Sequence, residues 1–90
     1  PVATTSETAD AYDLKLLEQQ LTLALDKLTA RSREIFLLSR RDHLSNREIA
    51  ERLGISIKAV EKHIGKSLQV MRREFKDYGL VVALSVFFCQ

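Results

Sequence analysis

LSNREIAERLGISIKAVEKHIGKSL, residues 44–68, holds two short helices and the turn between them. Ser45 and Glu48 have the S-x-x-E spacing of a capping box. In that arrangement the serine hydroxyl accepts from a free first-turn N–H, and the glutamate reaches back to the cap's own N–H. Ile49, Ala50 and Leu53 then line one apolar face. Gly54 stands where a helix ends on a left-handed residue, and Ile55 fills the angle after it. Ser56 is a good N-cap for the next helix. Val60, Ile64 and Leu68, spaced by four, give that helix its own apolar face. Small Ala50 allows a close crossing, and Gly54 allows a sharp bend. These features fall in the register of a helix-turn-helix.

Setting Val60, Ile64 and Leu68 inward leaves Lys58, Glu61, Lys62, Gly65 and Lys66 on the opposite side of the second helix. A charged face can simply solvate a helix, but three lysines on one narrow face of this motif suit a DNA major groove. Lys62 and Lys66 are the candidates for guanine acceptors, and Glu61 for a cytosine amine. Arg47 and Lys58 lie near the two helix starts, where free N–H groups favour phosphate, and Ser56 begins the second helix there. Gly65 inside a helix costs about 1 kcal/mol relative to Ala. It either lets the helix lie close to DNA or to another helix, or is simply tolerated.

Ninety residues with 46% hydrophobic and 29% charged content form one small globular domain. The net charge of +2 is unevenly placed. Residues 1–30 hold two Lys and five Asp/Glu, a net −3, whereas residues 31–78 hold twelve Lys/Arg and seven Asp/Glu, a net +5. The basic part coincides with the motif, as a nucleic-acid footprint would, though a mild one. The single cysteine, Cys89, excludes an internal disulfide and a multi-cysteine metal site, and reads as a small apolar residue.

The flanks add helices. Residues 1–10, PVATTSETAD, lack apolar periodicity and read as a linker end with no signal peptide. There is no initial Met, so the chain is expected to be a piece of a longer protein. A first helix runs from about Ala11 to Lys27, with Leu14, Leu17, Leu21, Leu25 and Leu28 as its stripe, widened by Leu16 and Leu23. Thr29 caps a second helix over 30–41, with Ile35, Phe36 and Leu38 inward and Arg31, Arg33, Arg40 and Arg41 flanking. Met71 and Phe75 carry the last helix of the motif on to about Tyr78, before Gly79, with Arg72, Arg73 and Lys76 outward. Residues 79–90 form an uncharged apolar tail, too short for the 20 or so residues that cross a bilayer. It is expected to fold back on the leucine stripe; otherwise it is a patch for self-association.

Phosphate-loop, dinucleotide, zinc-protease and CxxC patterns are all absent, so nothing supports an enzyme, a metal or a cofactor. His43 and His63 are twenty residues apart. His63, on the flank of the second motif helix, is expected to meet phosphate or solvent.

The run ALDKLTARSREIFLLSRRDHLSNREIAERLGISIKAVEKHIGKSLQVMRRE, residues 24–74, resembles region 4 of bacterial RNA polymerase sigma factors, closest to the extracytoplasmic-function (ECF) type. That family's block AL-x-x-LP-x-R-x-R-x-IF, then LS-x-x-EIA, a hydrophobe after Gly, TV and a terminal LR are all matched, with departures. Thr29 stands for the usual Pro, Ala59 for Thr, and Met71-Arg72 for Leu-Arg. MRREFKDY followed by an apolar tail looks like such factors from Bacteroidetes. The LuxR-type response-regulator output domain shares LT-x-R-x-R-E-I, LSN-x-EIA and V-x-x-H-I. Its flanks differ: here a long leucine-rich helix precedes the motif, and the last helix runs on through MRREF.

The resemblance implies an all-α domain of four or five helices over residues 11–78, with a C-terminal helix-turn-helix at 45–68 and no wing. It implies binding of the promoter −35 element within a cytoplasmic RNA polymerase holoenzyme, and so a role in transcription initiation. Its partners would be duplex promoter DNA, the polymerase β flap and an anti-sigma factor. The DNA-binding residues would be Arg47, Ser56, Lys58, Glu61, Lys62, Gly65 and Lys66. A helical protein-interaction module that makes no DNA contact is the alternative of a different class, favoured by the mild charge and the apolar tail.

Overall fold

A computed structural model of the chain describes residues 13–75 and 78–88. Five helices follow in order: α1 (Leu14–Asp26), α2 (Ala30–Arg40), α3 (Asn46–Leu53), α4 (Ile57–Glu74) and α5 (Gly79–Phe87). No strand occurs among the described residues, and the fold is all-helical as expected. The linker at 1–10, the helix start at Ala11, and the expectations for Lys76 and Cys89 lie outside the described residues.

Each of the first four helices begins on a side-chain cap. Asp13 Oδ1 accepts from the N–H groups of Lys15 and Leu16 at 3.0 and 3.2 Å. Thr29 Oγ1 accepts from Ser32 N–H at 3.1 Å, which is the role its sequence position suggests. Ser45 and Glu48 close a full capping box, and Ser56 Oγ accepts from Ala59 N–H at 3.0 Å. Such caps stabilise a helix by about 1 kcal/mol each. Gly54 ends α3 in the left-handed region, with φ 67°. Its N–H and that of Ile55 both donate to the Ala50 carbonyl, which turns the chain sharply into α4.

The apolar residues divide into two clusters. Leu17, Leu21, Ala24 and Leu28 of the α1 side meet Phe36, Met71, Phe75, Val82 and Ala83 in the first. Ile35 and Leu38 of α2 meet Ile49 and Ala50 of α3 and Val60 of α4 in the second. α2 and α4 contribute to both. Their inner faces therefore fix how the motif sits on the rest of the domain.

The C-terminal part differs from the sequence reading in one boundary. α4 ends at Glu74 rather than near Tyr78, because Phe75 is extended (φ −111°, ψ 144°) while its side chain stays buried in the first cluster. Gly79 does not stop a helix; it begins α5, packed tightly. A Cβ there would lie 3.3 Å from Phe75 Cδ1 and 3.6 Å from Leu17 Cδ2. α5 buries Val82 and Ala83 against Leu17 and Leu21, so the helix-turn-helix is not the last element. Phe88, just beyond α5, meets Phe36 edge-on with ring centres 6.0 Å apart.

The leucine stripe of α1 is narrower than its spacing suggests. Leu14, Leu16 and Leu23 are 42%, 50% and 58% exposed, while Ala24 is fully buried. One helix face can touch only what the neighbouring elements cover, and here that face is centred on Leu17, Leu21, Ala24 and Leu28.

Candidate nucleic-acid interface

α4 rises out of the turn with its inner face anchored and its outer face free. Val60 and Met71 are fully buried, and Ile64 and Leu68 are half-buried. At 100° per residue, Lys58, Glu61, Lys62, Gly65, Lys66, Gln69, Arg72 and Arg73 fall within an arc of roughly 140° on the opposite side. All eight are exposed. Among the described residues, none of the arc's five cations forms a salt bridge. A solvating face commonly carries alternating, mutually paired charges; this one carries Glu61 against five cations.

The expected site residues sit as follows. Lys58, Glu61, Lys62 and Lys66 share the outer arc with Gly65, at which an added Cβ would meet no atom of the chain within 4 Å. Among the described residues the space beside Gly65 is therefore open, and no helix approaches it there. Arg47 is exposed in the first turn of α3, beside the free N–H groups of its N-terminus. Ser56 is exposed; its oxygen accepts from Ala59 N–H in capping α4, which leaves its O–H donor and a second lone pair for a ligand. Gln69 belongs to this surface and is absent from the sequence reading. Its spacing of seven from Lys62 is the signal that finds it.

Of the four arginines on and just after α2, three are occupied elsewhere. Arg33 Nε donates to the Leu25 carbonyl at 3.0 Å. Arg31 pairs with Glu34 at 3.3 Å, and Arg41 with Asp42 at 3.1 Å. The Arg41 hydrogen bond is the main reason that the Asp42 carboxyl sits below its ordinary value. His43, next in the chain, is exposed and adopts φ 57°, a left-handed turn that lets the loop lead into α3.

His63 corrects the expectation of a phosphate or solvent contact. It is half-buried and turned inward, with Nδ1 2.8 Å from Ser32 Oγ of α2. It lies three residues after Val60 and four before Ser67, so it belongs to the inner face. Ser67 is wholly buried; its hydroxyl donates to the His63 carbonyl at 2.9 Å and lies 3.4 Å from the Ser32 carbonyl. Two polar residues at inward register on one helix are the signal for such an interior link. Among the described residues there is no cluster of His, Cys, Asp and Glu able to hold a metal ion.

Residues 18–71 match the family model described as Sigma-70, region 4. The chain is 42% identical over 62 residues to the ferric citrate uptake sigma factor FecI of Escherichia coli (strain K12), covering 69% of this chain. The chain spans 36% of that protein's length. No solved structure gives a significant match.

Proposed function

The chain belongs to the sigma-70 region 4 family, and from that premise we propose that it binds the −35 element of promoters as one part of a sigma factor of the ECF type. In this reading the holoenzyme, not the isolated domain, starts transcription in the cytoplasm. The family regulates transcription without catalysis of its own. The observation that carries the reading is the outer face of α4, five cations with no ion-pair partner among the described residues, on the second helix of a fully capped helix-turn-helix.

α4 would enter the major groove by its N-terminal half. Lys62 and Lys66 donate to guanine N7 and O6 and Glu61 accepts from a cytosine amine, each good pair being worth about 1–3 kcal/mol of discrimination. Arg47 and Lys58 hold phosphates at the two helix starts. Ser56 and Gly65 lie along the same approach, where a short side chain and a missing one let the backbone come near the duplex. An 18-residue helix is about 27 Å long, more than twice the groove's width of about 12 Å. Gln69, Arg72 and Arg73 therefore extend over the flanking backbone.

The opposite side of the domain, acidic α1 with exposed Leu16 and Leu23, is the surface we assign to the polymerase β flap or to an anti-sigma factor. Self-association through the tail has less in its favour. α5 spends its buried face on its own chain, which leaves Tyr78 and Val81 as the large apolar side chains of that segment open to a second copy.

Selection of bound sequences from random duplex DNA, followed by anisotropy titrations across salt, tests the reading. A recovered consensus with steep salt dependence is expected. Lys62→Ala then relaxes preference at one position, and Arg47→Ala weakens all duplexes alike and lowers the salt slope by about one. A domain that enriches no sequence and binds no duplex at low salt would be a protein-interaction module instead.

A further inference from the structure

The two apolar clusters meet at a polar seam, and every member of that seam lies on α2 or α4. Ser32 is 5% exposed, and Ser67 is wholly buried. Ser32 N–H is taken by the Thr29 cap, while its hydroxyl meets His63 Nδ1 at 2.8 Å, donating when that nitrogen carries no proton. The Ser67 hydroxyl, one turn on, bonds the His63 carbonyl and approaches the Ser32 carbonyl. Elsewhere the inner face of α4 meets its neighbours chiefly through apolar side chains, with one ion pair, Glu74 to Lys27, at its far end.

The two kinds of contact constrain different motions. Apolar burial is non-directional, so Val60, Met71 and their neighbours hold α4 down but tolerate some roll about its axis. A hydrogen bond weakens steeply outside a narrow range of distance and angle. A roll of roughly 20° would carry a group some 6 Å from the helix axis through about 2 Å, enough to break a base contact. His63 is next to Lys62 and three residues before Lys66, so whatever fixes its azimuth fixes theirs.

We propose that His63 is a positioning residue for sequence reading: through Ser32 it sets the rotation of α4 and so aims Lys62 and Lys66, without touching DNA itself. This rests on the reading of α4 as the helix that enters the groove. His63 thereby acts on selectivity rather than on overall attraction to the duplex, which the exposed cations supply whatever the roll.

The test uses the domain with its own selected duplex and a scrambled duplex of equal length. Ser32→Ala and His63→Leu should each lower the preference for the selected over the scrambled duplex by about three- to tenfold. Binding to the scrambled duplex and the salt slope should stay as in the parent. His63→Asn, which keeps a polar atom near the place of Nδ1, should restore most of the preference. The double variant should lose no more than the worse single one, because both remove the same link. If His63→Leu does not fold, Ser32→Ala with His63→Asn decides the matter. A preference within twofold of the parent in Ser32→Ala overturns the proposal, as does an equal loss on both duplexes, which would make His63 a phosphate contact. A parent that binds neither duplex removes the function read for α4 itself, a different outcome from an unmoved variant.

Discussion

At the scale of single residues, Glu48 links the motif to pH. Its carboxyl is held below the ordinary carboxylate value, first by the hydrogen bond from Ser45 N–H and then by the Ser45 side chain. A depressed folded value means that this contribution is complete above the carboxyl's ordinary value and fades as pH falls through the lowered one. Glu48→Gln keeps an acceptor for the capping box but does not titrate. Melting temperatures of the two proteins should therefore differ at neutral pH and draw together in acid; parallel curves would separate the pH response from Glu48. Gly65 gives a second test. With open space around it, Gly65→Ala should raise stability by about 0.8–1.0 kcal/mol in thermal melts. The same substitution should weaken duplex binding severalfold if the backbone comes near the duplex. Unchanged binding would make Gly65 a tolerated residue and no part of the site.

At the scale of elements, the crossing of α3 and α4 depends on a small side chain. Ala50 is 6% exposed in the same cluster as Ile49 and Val60. Ala50→Leu should cost about 1–3 kcal/mol by overpacking, measured by urea denaturation. Duplex binding should fall with the folded fraction. A variant as stable as the parent would mean that the crossing has slack. This part of the chain was almost wholly legible in its sequence: Ser45, Glu48, Gly54 and Ser56 act locally, and each signals its backbone conformation within four residues. What escaped reading depends on distant partners. The end of α4 is set by where Phe75 must point to reach the first cluster, and the inward turn of His63 by a serine thirty-one residues earlier. Likewise the exposure of Leu16 and Leu23 depends on which side of α1 the later helices happen to cover. The candidate site was legible for its cations, since spacing alone puts them on one arc, but not for what orients them.

At the scale of the whole molecule, the apolar C-terminal segment completes the core. Burying Val82 alone is worth about 1.5–3 kcal/mol, and removing α5 would also bare Leu17 and Leu21. A chain ending at Tyr78 should melt well below the parent and bind a hydrophobic dye. An unchanged, monomeric melt would show α5 to be dispensable. The layout also separates tasks. α1 and α5 pack on the inner side of the C-terminal half of α4, the cationic arc faces outward along that helix, and α4 runs through both clusters. That last feature governs how the molecule opens. α1, α3 and α5 each pack in a single cluster, so α3 can detach and leave the contacts of α4 in the first cluster intact. Under native conditions the amide hydrogens on the inner side of α4 should then exchange with deuterium only through global unfolding, whereas those of α3 should exchange through a cheaper local excursion. The helix assigned to the groove would be the last part of the chain to lose its protection, and the one most readily inherited intact by a partly unfolded form.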